Sequence, residues 1–154
     1  MKKLLLVACM AFAAVLLSSC GSTKVEEVAA PTFEGAWVVE EFVNDGAAVT
    51  GATANIEIAA PVDGVYKVAG NAGLNQFFGD YTIVENKLTP VDPAAIGATK
   101  MAGTPEAMAY ETAFLHVLTA ESNIALDGEK LVISNDTAKI TFVEGAPAAM
   151  PIEE

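Results

Sequence analysis

The sequence predicts a mainly β (α+β) fold, in which one α-helix packs on or across a strongly curled antiparallel sheet. Two observations predict it. Short segments with apolar residues at every second position recur along the chain, and turn residues such as Asp63-Gly64 and Asp127-Gly128 separate them. A single segment, which follows Thr104, has the spacing of an amphipathic helix. One helix with an apolar face among such strands is expected to cover one face of the sheet or close one end.

The first part of the predicted domain alternates between apolar and polar residues. The pattern predicts strands at residues 37–39 and 42–43, 55–58, 65–68, 81–84 and 88–89. Glu40 and Glu41 interrupt the alternation of the first strand and predict a β-bulge or a strand end there. Pro90 and Pro93 cannot donate the backbone hydrogen bond of a central strand, so an edge or a loop is expected after residue 89.

The segment after Thr104 predicts the helix. Thr104 is a favourable N-cap residue, Pro105 suits the first helical position, and Glu106 complements the helix dipole. Apolar residues with helical spacing then form a stripe that is predicted to face the core: Tyr110, Ala113, Phe114, Val117 and Leu118. After the helix, three short strands joined by tight turns are predicted at residues 123–126, 130–133 and 139–143.

The segment 70–81 contains three glycines, at positions 70, 73 and 79, and two asparagines, at positions 71 and 75. Glycine and asparagine tolerate backbone conformations that other residues avoid, so the segment predicts a tight corner that leads into a strand starting at Tyr81. A phosphate-binding loop is the alternative, but no helix pattern follows Gly79 to present its N-terminus to an anion. We therefore expect Gly73 and Gly79 to be required by the backbone.

The N-terminus predicts a secretory signal peptide. Lys2 and Lys3 precede an uncharged apolar run at residues 4–17, which is shorter than the roughly 20 residues of a membrane span. The ending Leu17-Ser18-Ser19-Cys20 resembles the bacterial lipobox, in which cleavage leaves the cysteine as the lipidated N-terminus. The alternative is an ordinary cleaved signal with an incidental cysteine. The expected organisation is a signal peptide at 1–19, a lipidated flexible tether at 20–32, a β-rich domain at 33–144 and a frayed tail at 145–154.

Charge and cysteine content narrow the classes of partner. Cleavage would remove Lys2, Lys3 and Cys9, which leaves Cys20 as the one cysteine and changes the formal net charge from −12 to −14. Nucleic-acid binding relies on clustered Lys and Arg, so a chain this acidic and without arginine is not expected to bind nucleic acid. The acidic residues predict a solvated surface, and the alternative is a surface for basic partners or divalent cations.

Three motifs occur in order along the predicted domain. They are Gly35-Ala36-Trp37, the segment 70–81, and Thr99-Lys100-Met101-Ala102-Gly103 with Glu111, Phe114 and Leu118 in the helix. With them, residues 33–144 resemble the META domain family, the group that includes the bacterial heat-shock lipoprotein HslJ. The residues that match the family's motifs are expected to be structural: Trp37, Gly70, Asn71, Gly73, Asn75, Phe77, Gly79, Tyr81, Thr99, Met101, Glu111 and Phe114.

The resemblance implies a small, mostly antiparallel β-barrel with one helix, and an envelope role associated with stress tolerance. Two departures from the family's motifs occur together. Leu74 and Gly103 stand where relatives often carry cysteines, as expected if the two positions face each other. The thiol or disulfide chemistry of such relatives is therefore not expected in this chain.

The sequence offers few groups for catalysis or metal binding. His116, the one histidine, is predicted to lie off the apolar stripe of the helix, and no serine stands in a nucleophile motif. The mature chain lacks the several Cys or His ligands of a zinc site and contains no EF-hand-like calcium loop. We therefore expect no catalytic, cofactor-binding or metal-binding residue. Two converging carboxylates, for example around Asp80 or Glu111, would instead indicate acid–base chemistry.

Two functions remain open. The first is a non-enzymatic, monomeric envelope lipoprotein, held at the membrane through Cys20, expected on the outer membrane at its periplasmic or surface face. Its domain would be a structural or protein-interaction module with an envelope protein as partner. The second is a small-molecule binder with its ligand inside the barrel. A filled interior is expected, with seven aromatic residues occupying it: Trp37, Tyr66, Phe77, Phe78, Tyr81, Phe114 and Phe142.

Overall fold

The structure is a computed structural model that describes residues 32–145. Within this range the strands are β1 (Gly35–Asn44), β2 (Ala47–Ala48), β3 (Asn55–Ile58), β4 (Val65–Asn71), β5 (Gln76–Val84), β6 (Lys87–Pro90), β7 (Gly97–Ala98), β8 (Ser122–Asp127), β9 (Lys130–Ser134) and β10 (Ala138–Glu144). A short 3₁₀ helix, Pro93–Ala95, precedes β7, and one α-helix, α1 (Pro105–Thr119), precedes β8. The predicted signal peptide, Cys20, the tether as far as residue 31 and the tail from residue 146 lie outside the described residues.

Eight of these strands form a closed antiparallel barrel. Each pairs with the next barrel strand along the chain, in the order β1, β3, β4, β5, β6, β8, β9, β10, and β10 pairs back with β1. The two-residue strands β2 and β7 add to the outside of this path, on β1 and β5. The predicted mainly β fold with one helix is confirmed, and closure by β10 and β1 makes it a barrel.

A β-bulge in β1 occurs where the consecutive glutamates predicted either a bulge or a strand end. The register between β1 and β10 shifts between Val39 and Glu41. Trp37 and Phe42 are five residues apart and would face opposite sides of a regular strand, yet both are buried. The extra residue reverses the alternation, so both large side chains point into the barrel.

Side chains from all eight barrel strands occupy the interior, and α1 closes one end of the barrel with its apolar stripe. Phe114 of α1 lies at the centre of an aromatic cluster, with ring centroids 5.9 Å from Phe77, 6.3 Å from Phe42 and 6.4 Å from Phe142. An eight-stranded barrel is just wide enough for side chains to fill. Of the seven aromatic residues expected inside, Tyr66 is only half-buried. The prediction for Phe78 is wrong, because its side chain points out of the barrel.

The corner is shorter than predicted. β4 continues to Asn71 and β5 begins at Gln76, so the expected strand start at Tyr81 is wrong by five residues and the corner is limited to residues 72–75. Gly79 lies inside β5, and its missing side chain hides the alternation between Phe77 and Tyr81 that marks the strand. Pro90 ends β6 opposite Tyr81 and is buried, whereas Pro93 begins the 3₁₀ helix.

The helix begins as the sequence predicts. The Thr104 hydroxyl accepts a hydrogen bond from the amide of Ala107 at 3.2 Å, and Pro105 is the first helical residue. Tyr110, Phe114, Val117 and Leu118 are buried along the predicted stripe. No helix in the described part of the chain combines the length and apolar composition that crossing a membrane requires.

Candidate functional site

The corner between β4 and β5 is held by its own polar groups. The amide of Ala72 donates to the carbonyl of Asn75 at 2.8 Å, and the amide of Gly73 donates to the side-chain oxygen of Asn71 at 2.7 Å. Gly73 has a φ of +110°, and a Cβ there would lie 2.8 Å from the ring of Tyr110. Gly73 is therefore required by the backbone conformation and by the close approach of α1.

Asn75 is 3% exposed and joins three parts of the chain. Its side-chain oxygen accepts from the Thr99 hydroxyl at 2.9 Å and from the Met101 amide at 2.7 Å. Its side-chain nitrogen donates to the Met101 carbonyl at 3.2 Å and to both Glu111 carboxylate oxygens at 3.0 Å. The backbone amide of Asn75 also donates to Glu111, at 2.7 Å. We call Asn75, Thr99, Met101 and Glu111 the Asn75 network.

The Asn75 network uses both hydrogen-bonding ends of one amide side chain. Because Met101 presents an amide hydrogen to one end and Glu111 presents a carboxylate to the other, the oxygen and nitrogen of Asn75 are assigned without ambiguity. The network fixes the corner to the loop after β7 and to the second turn of α1. The structure thus brings together four of the residues singled out from the sequence, and their contacts are structural.

The carboxylates do not form an acid–base pair. The Glu111 carboxylate accepts hydrogen bonds from Asn75. Asp80 lies on the outer surface of β5, where the Lys67 ammonium is 3.0 Å from its carboxylate. His116 is exposed on α1. Within residues 32–145, His, Cys, Asp and Glu side chains form no group of three or more that could hold a metal ion.

Gly70 and Gly79 are constrained by their neighbours. A Cβ at Gly70 would overlap the carbonyl oxygen of Asn55 on the paired strand β3. At Gly79 a Cβ would lie 3.0 Å from the ring of Tyr81 and 3.1 Å from the side chain of Ile96. Neither glycine has a positive φ, so the structure does not show the backbone requirement that was expected at Gly79. Side-chain packing constrains this position instead.

The remaining aromatic residues of the motifs belong to the core. Trp37, Phe77, Tyr81 and Phe114 are all buried, and the indole nitrogen of Trp37 donates to the carbonyl of Phe33 at 3.0 Å. The buried Tyr81 hydroxyl has no hydrogen-bond partner among the described residues, and burial raises the pKa of Tyr81 above its usual value.

Leu74 and Gly103 face each other. A Cβ at Gly103 would lie 2.7 Å from the nearest methyl carbon of Leu74. The expectation that these two positions are neighbours is therefore met, and the leucine side chain occupies the space between them. A larger residue at position 103 would require Leu74 to move.

A groove of about 760 Å³ lies on the outer surface of the barrel and includes Met101 of the Asn75 network in its lining. We call it the outer groove, and it crosses β1, β3, β4 and β5 before ending at the corner and the loop after β7. It is lined by Val38, Thr53, Asn55, Glu57, Ala69, Gly70, Asn71, Gly73, Leu74, Gln76, Phe77, Phe78 and Met101. Two of its large apolar side chains are unusually exposed: Phe78 at 63% and Met101 at 55%.

Phe78 was expected inside the barrel, and no sequence pattern predicted the outer groove. Phe77 and Phe78 are adjacent in a strand, so only one of their side chains can face the interior of the barrel. In a strand that starts at Gln76, Phe77, Gly79 and Tyr81 face the interior and Phe78 faces outward. Phe78 then packs its ring across Gly97 on β7, where a Cβ would clash with the ring.

The fold and these contacts define a class of protein: a small, filled, antiparallel β-barrel, closed at one end by a helix that a buried asparagine ties to the barrel. The chain belongs to the META domain family, whose sequence model matches residues 30–147. This match confirms the family that the sequence motifs indicated.

Solved structures share the fold. An NMR structure of a protein from Burkholderia xenovorans is similar with a TM-score of 0.57 and 22% identity, over 74% of this chain and 83% of that chain. A second NMR structure is similar with a TM-score of 0.54 and 17% identity, over 71% of this chain and 88% of that chain. No curated protein matches the chain.

Proposed function

We propose that this protein is a non-enzymatic lipoprotein of the bacterial cell envelope, and that its META domain binds an envelope protein in the outer groove. The observation that carries the proposal is the exposure of Phe78 and Met101 along this groove. Clustered exposed apolar side chains rimmed by polar residues are typical of interaction sites.

The Asn75 network supports a binding role because it holds the backbone of Met101 at one end of the groove. Both backbone polar groups of Met101 are bonded to Asn75, and Leu74 precedes Asn75 in the corner. Phe78 lies on β5, which is paired on both sides, with β4 and β7. Side chains held on rigid elements lose little entropy when a partner binds.

The occupied interior favours the outer surface over a ligand inside the barrel. Twenty apolar side chains from the barrel, the loop before β3, the corner and α1 form one buried cluster. Phe114 lies among the rings of Phe42, Phe77 and Phe142. A small ligand in the barrel would have to displace these side chains. The small-molecule alternative therefore has less support than a protein partner.

An anchor at Cys20 would place the groove near its partner. The tether to residue 32 separates the lipid from the domain by about a dozen residues, and confinement at a membrane raises the effective concentration of one partner around another. A modest affinity would then suffice for binding. We place the monomeric protein on the outer membrane, at its periplasmic or surface face, with a role in the stress response.

The anchor is tested by Cys20→Ala. We expect the variant to leave the membrane fraction and appear among soluble envelope proteins, because it cannot be lipidated at residue 20. The measurement is fractionation of cells without detergent, with Cys9→Ala as the matched control that keeps its membrane location. A wild-type protein that is soluble without detergent would contradict the anchor.

The binding role is tested by site-specific photo-crosslinking in cells. A photoreactive phenylalanine analogue at position 78 or 101 is expected to give a discrete crosslinked product with an envelope protein. The same analogue at Val62 or Val84, which are at least as exposed as Phe78 and Met101 but do not line the outer groove, is the control. Equal crosslinking at all four positions, or none at 78 and 101, would contradict a binding role for the groove.

A further inference from the structure

Among the residues 32–145 that line the outer groove, Glu57 is the only charged one. It projects outward from β3, where its paired neighbours are Ala36 on β1 and Ala69 on β4. Among residues 32–145, no side chain forms an ion pair with its carboxylate. An exposed carboxylate therefore stands between two alanines in a groove whose other walls are apolar or uncharged.

The charge of the domain favours a cationic partner. Residues 32–145 contain 16 acidic residues and five lysines. Three of these lysines are already ion-paired, with Asp80, Glu121 and Glu40. Lys100 precedes Met101 in the chain but is not among the residues that line the groove. The groove thus has a negative centre in a strongly acidic surface, which attracts cations and repels anions.

The register of the strands sets the distance between the charge and the apolar end of the groove. Glu57 pairs with Ala69, and Ala69 pairs with Phe78, so the three residues lie in one row across β3, β4 and β5. Two strand spacings amount to about 10 Å, which an extended chain covers in about three residues. Ala69 between them offers a flat floor over which a backbone can pass.

We propose that the outer groove binds an extended peptide segment of its partner protein, in which a lysine or arginine pairs with Glu57. An aliphatic or aromatic side chain about three residues away packs on Phe78 and Met101. A cation and an apolar group held this far apart match a peptide better than a compact ligand. The inference rests on the proposed function and specifies the chemistry of its partner.

The experiment is a selection from a random twelve-residue peptide library on the mature chain, with Cys20→Ser to keep it unlipidated, followed by fluorescence anisotropy of the selected peptides. We expect the selected peptides to share a Lys or Arg about three residues from a large apolar residue. Phe78→Ser is expected to weaken their binding, and Glu57→Lys is expected to weaken it by about tenfold, because attraction becomes repulsion.

Glu129→Lys is the matched control for charge, because it makes the same change at an exposed position in the turn between β8 and β9. It is expected to change the affinity less than twofold, and circular dichroism verifies that each variant is folded.

Different outcomes separate the two proposals. Peptides that lose affinity in Phe78→Ser but are unaffected by Glu57→Lys would overturn the cationic partner and leave groove binding in place. Peptides that are indifferent to both substitutions would overturn both proposals. Failure to select any peptide on the folded wild-type chain would overturn the peptide-binding inference, while the crosslinking experiment would still test the groove.

Discussion

Asn75 supplies both a hydrogen-bond acceptor and a donor at a buried position whose neighbours require both. Its oxygen faces two donors, from Thr99 and Met101, while its nitrogen faces the Glu111 carboxylate and a carbonyl. Aspartate would place a second negative charge against Glu111, and an apolar residue would leave these partners unsatisfied in a buried site. One amide therefore decides how the corner, the loop after β7 and α1 meet.

Asn75→Ala is expected to reduce the free energy of unfolding by roughly 3 kcal/mol, because several hydrogen bonds, including those to a carboxylate, are lost together. Urea unfolding followed by circular dichroism measures the change. Asn123→Ala, an exposed asparagine on β8, is the control and should stay within about 0.5 kcal/mol of wild type. An equal effect of the two substitutions would contradict the role of the Asn75 network.

Gly70 provides a second test at the scale of one residue. Gly70→Ala is expected to destabilise the protein by about 3 kcal/mol or to prevent folding, because its methyl group would overlap the Asn55 carbonyl on the adjacent strand. Gly128→Ala is the comparison, since it has open space around it but a φ of +63°, and it should cost about 1 kcal/mol. Thermal unfolding of both variants shows which of the two substitutions is more destabilising. A milder effect at position 70 than at 128 would show that β3 and β4 separate easily.

At the scale of elements, α1 covers one end of the barrel and also contributes side chains to the core. The helix is capped by Thr104, tied at Glu111 to the corner, and buried along its stripe. The hydroxyl of Ser122 donates to the carbonyl of Val117 at 2.8 Å, which links the end of the helix to the start of β8. In the described structure β6 and β8 share only two paired positions, which is the shortest pairing in the barrel. The segment that connects these two strands contains α1.

Phe114→Ala is expected to reduce the free energy of unfolding by about 3 to 5 kcal/mol, because it leaves a cavity among four aromatic rings. Met108→Ala removes a partly exposed side chain from the same helix and serves as the control, with an effect below about 1 kcal/mol. Chemical denaturation of the two variants distinguishes them. A small effect of Phe114→Ala would mean that α1 packs loosely on the barrel.

At the scale of the whole molecule, closure removes every long free edge from the barrel. β10 pairs with β1 at seven positions, and β1 also pairs with β3 and β2. A closed barrel has no exposed edge strand to pair with other chains. Strand addition to the barrel is therefore disfavoured, which agrees with the side-chain binding that we propose for the outer groove.

The buried tyrosines predict how the stability of the whole domain depends on pH. Burial raises the pKa of Tyr81, and also that of Tyr110, although a backbone hydrogen bond with Ala54 partly opposes the shift at Tyr110. Above pH 10 the unfolded chain loses tyrosine protons that the folded chain retains, so stability is present below pH 10 and falls as the pH rises. For Tyr81 the expected slope is up to about 1.4 kcal/mol per pH unit.

Tyr81→Phe isolates this effect. At pH 8 the variant is expected to be at least as stable as wild type, because the hydroxyl it removes has no partner among residues 32–145. Above pH 10 its stability should fall less steeply than that of wild type. Urea titrations between pH 8 and 11 measure both effects. A clear loss at pH 8 would show that the hydroxyl is hydrogen-bonded in solution.

The sequence alone determined most of the secondary structure, because side-chain periodicity and turn residues act locally. The helix, its cap, the bulge after Val39 and the C-terminal meander were all predicted from residues close together in the chain. The family was also identified from the sequence, through three motifs in order. The strand β5 was predicted only in part, because Gly79 has no side chain to mark its face.

Only the tertiary structure decided which distant residues meet. Asn75 and Glu111 are 36 positions apart, and β1 and β10 close the barrel from opposite ends of the domain. Alternation tells which residues share a face of a strand but not which strand lies beside it. The outer groove depends on that neighbourhood, since Glu57 and Phe78 belong to one surface only because β4 lies between their strands.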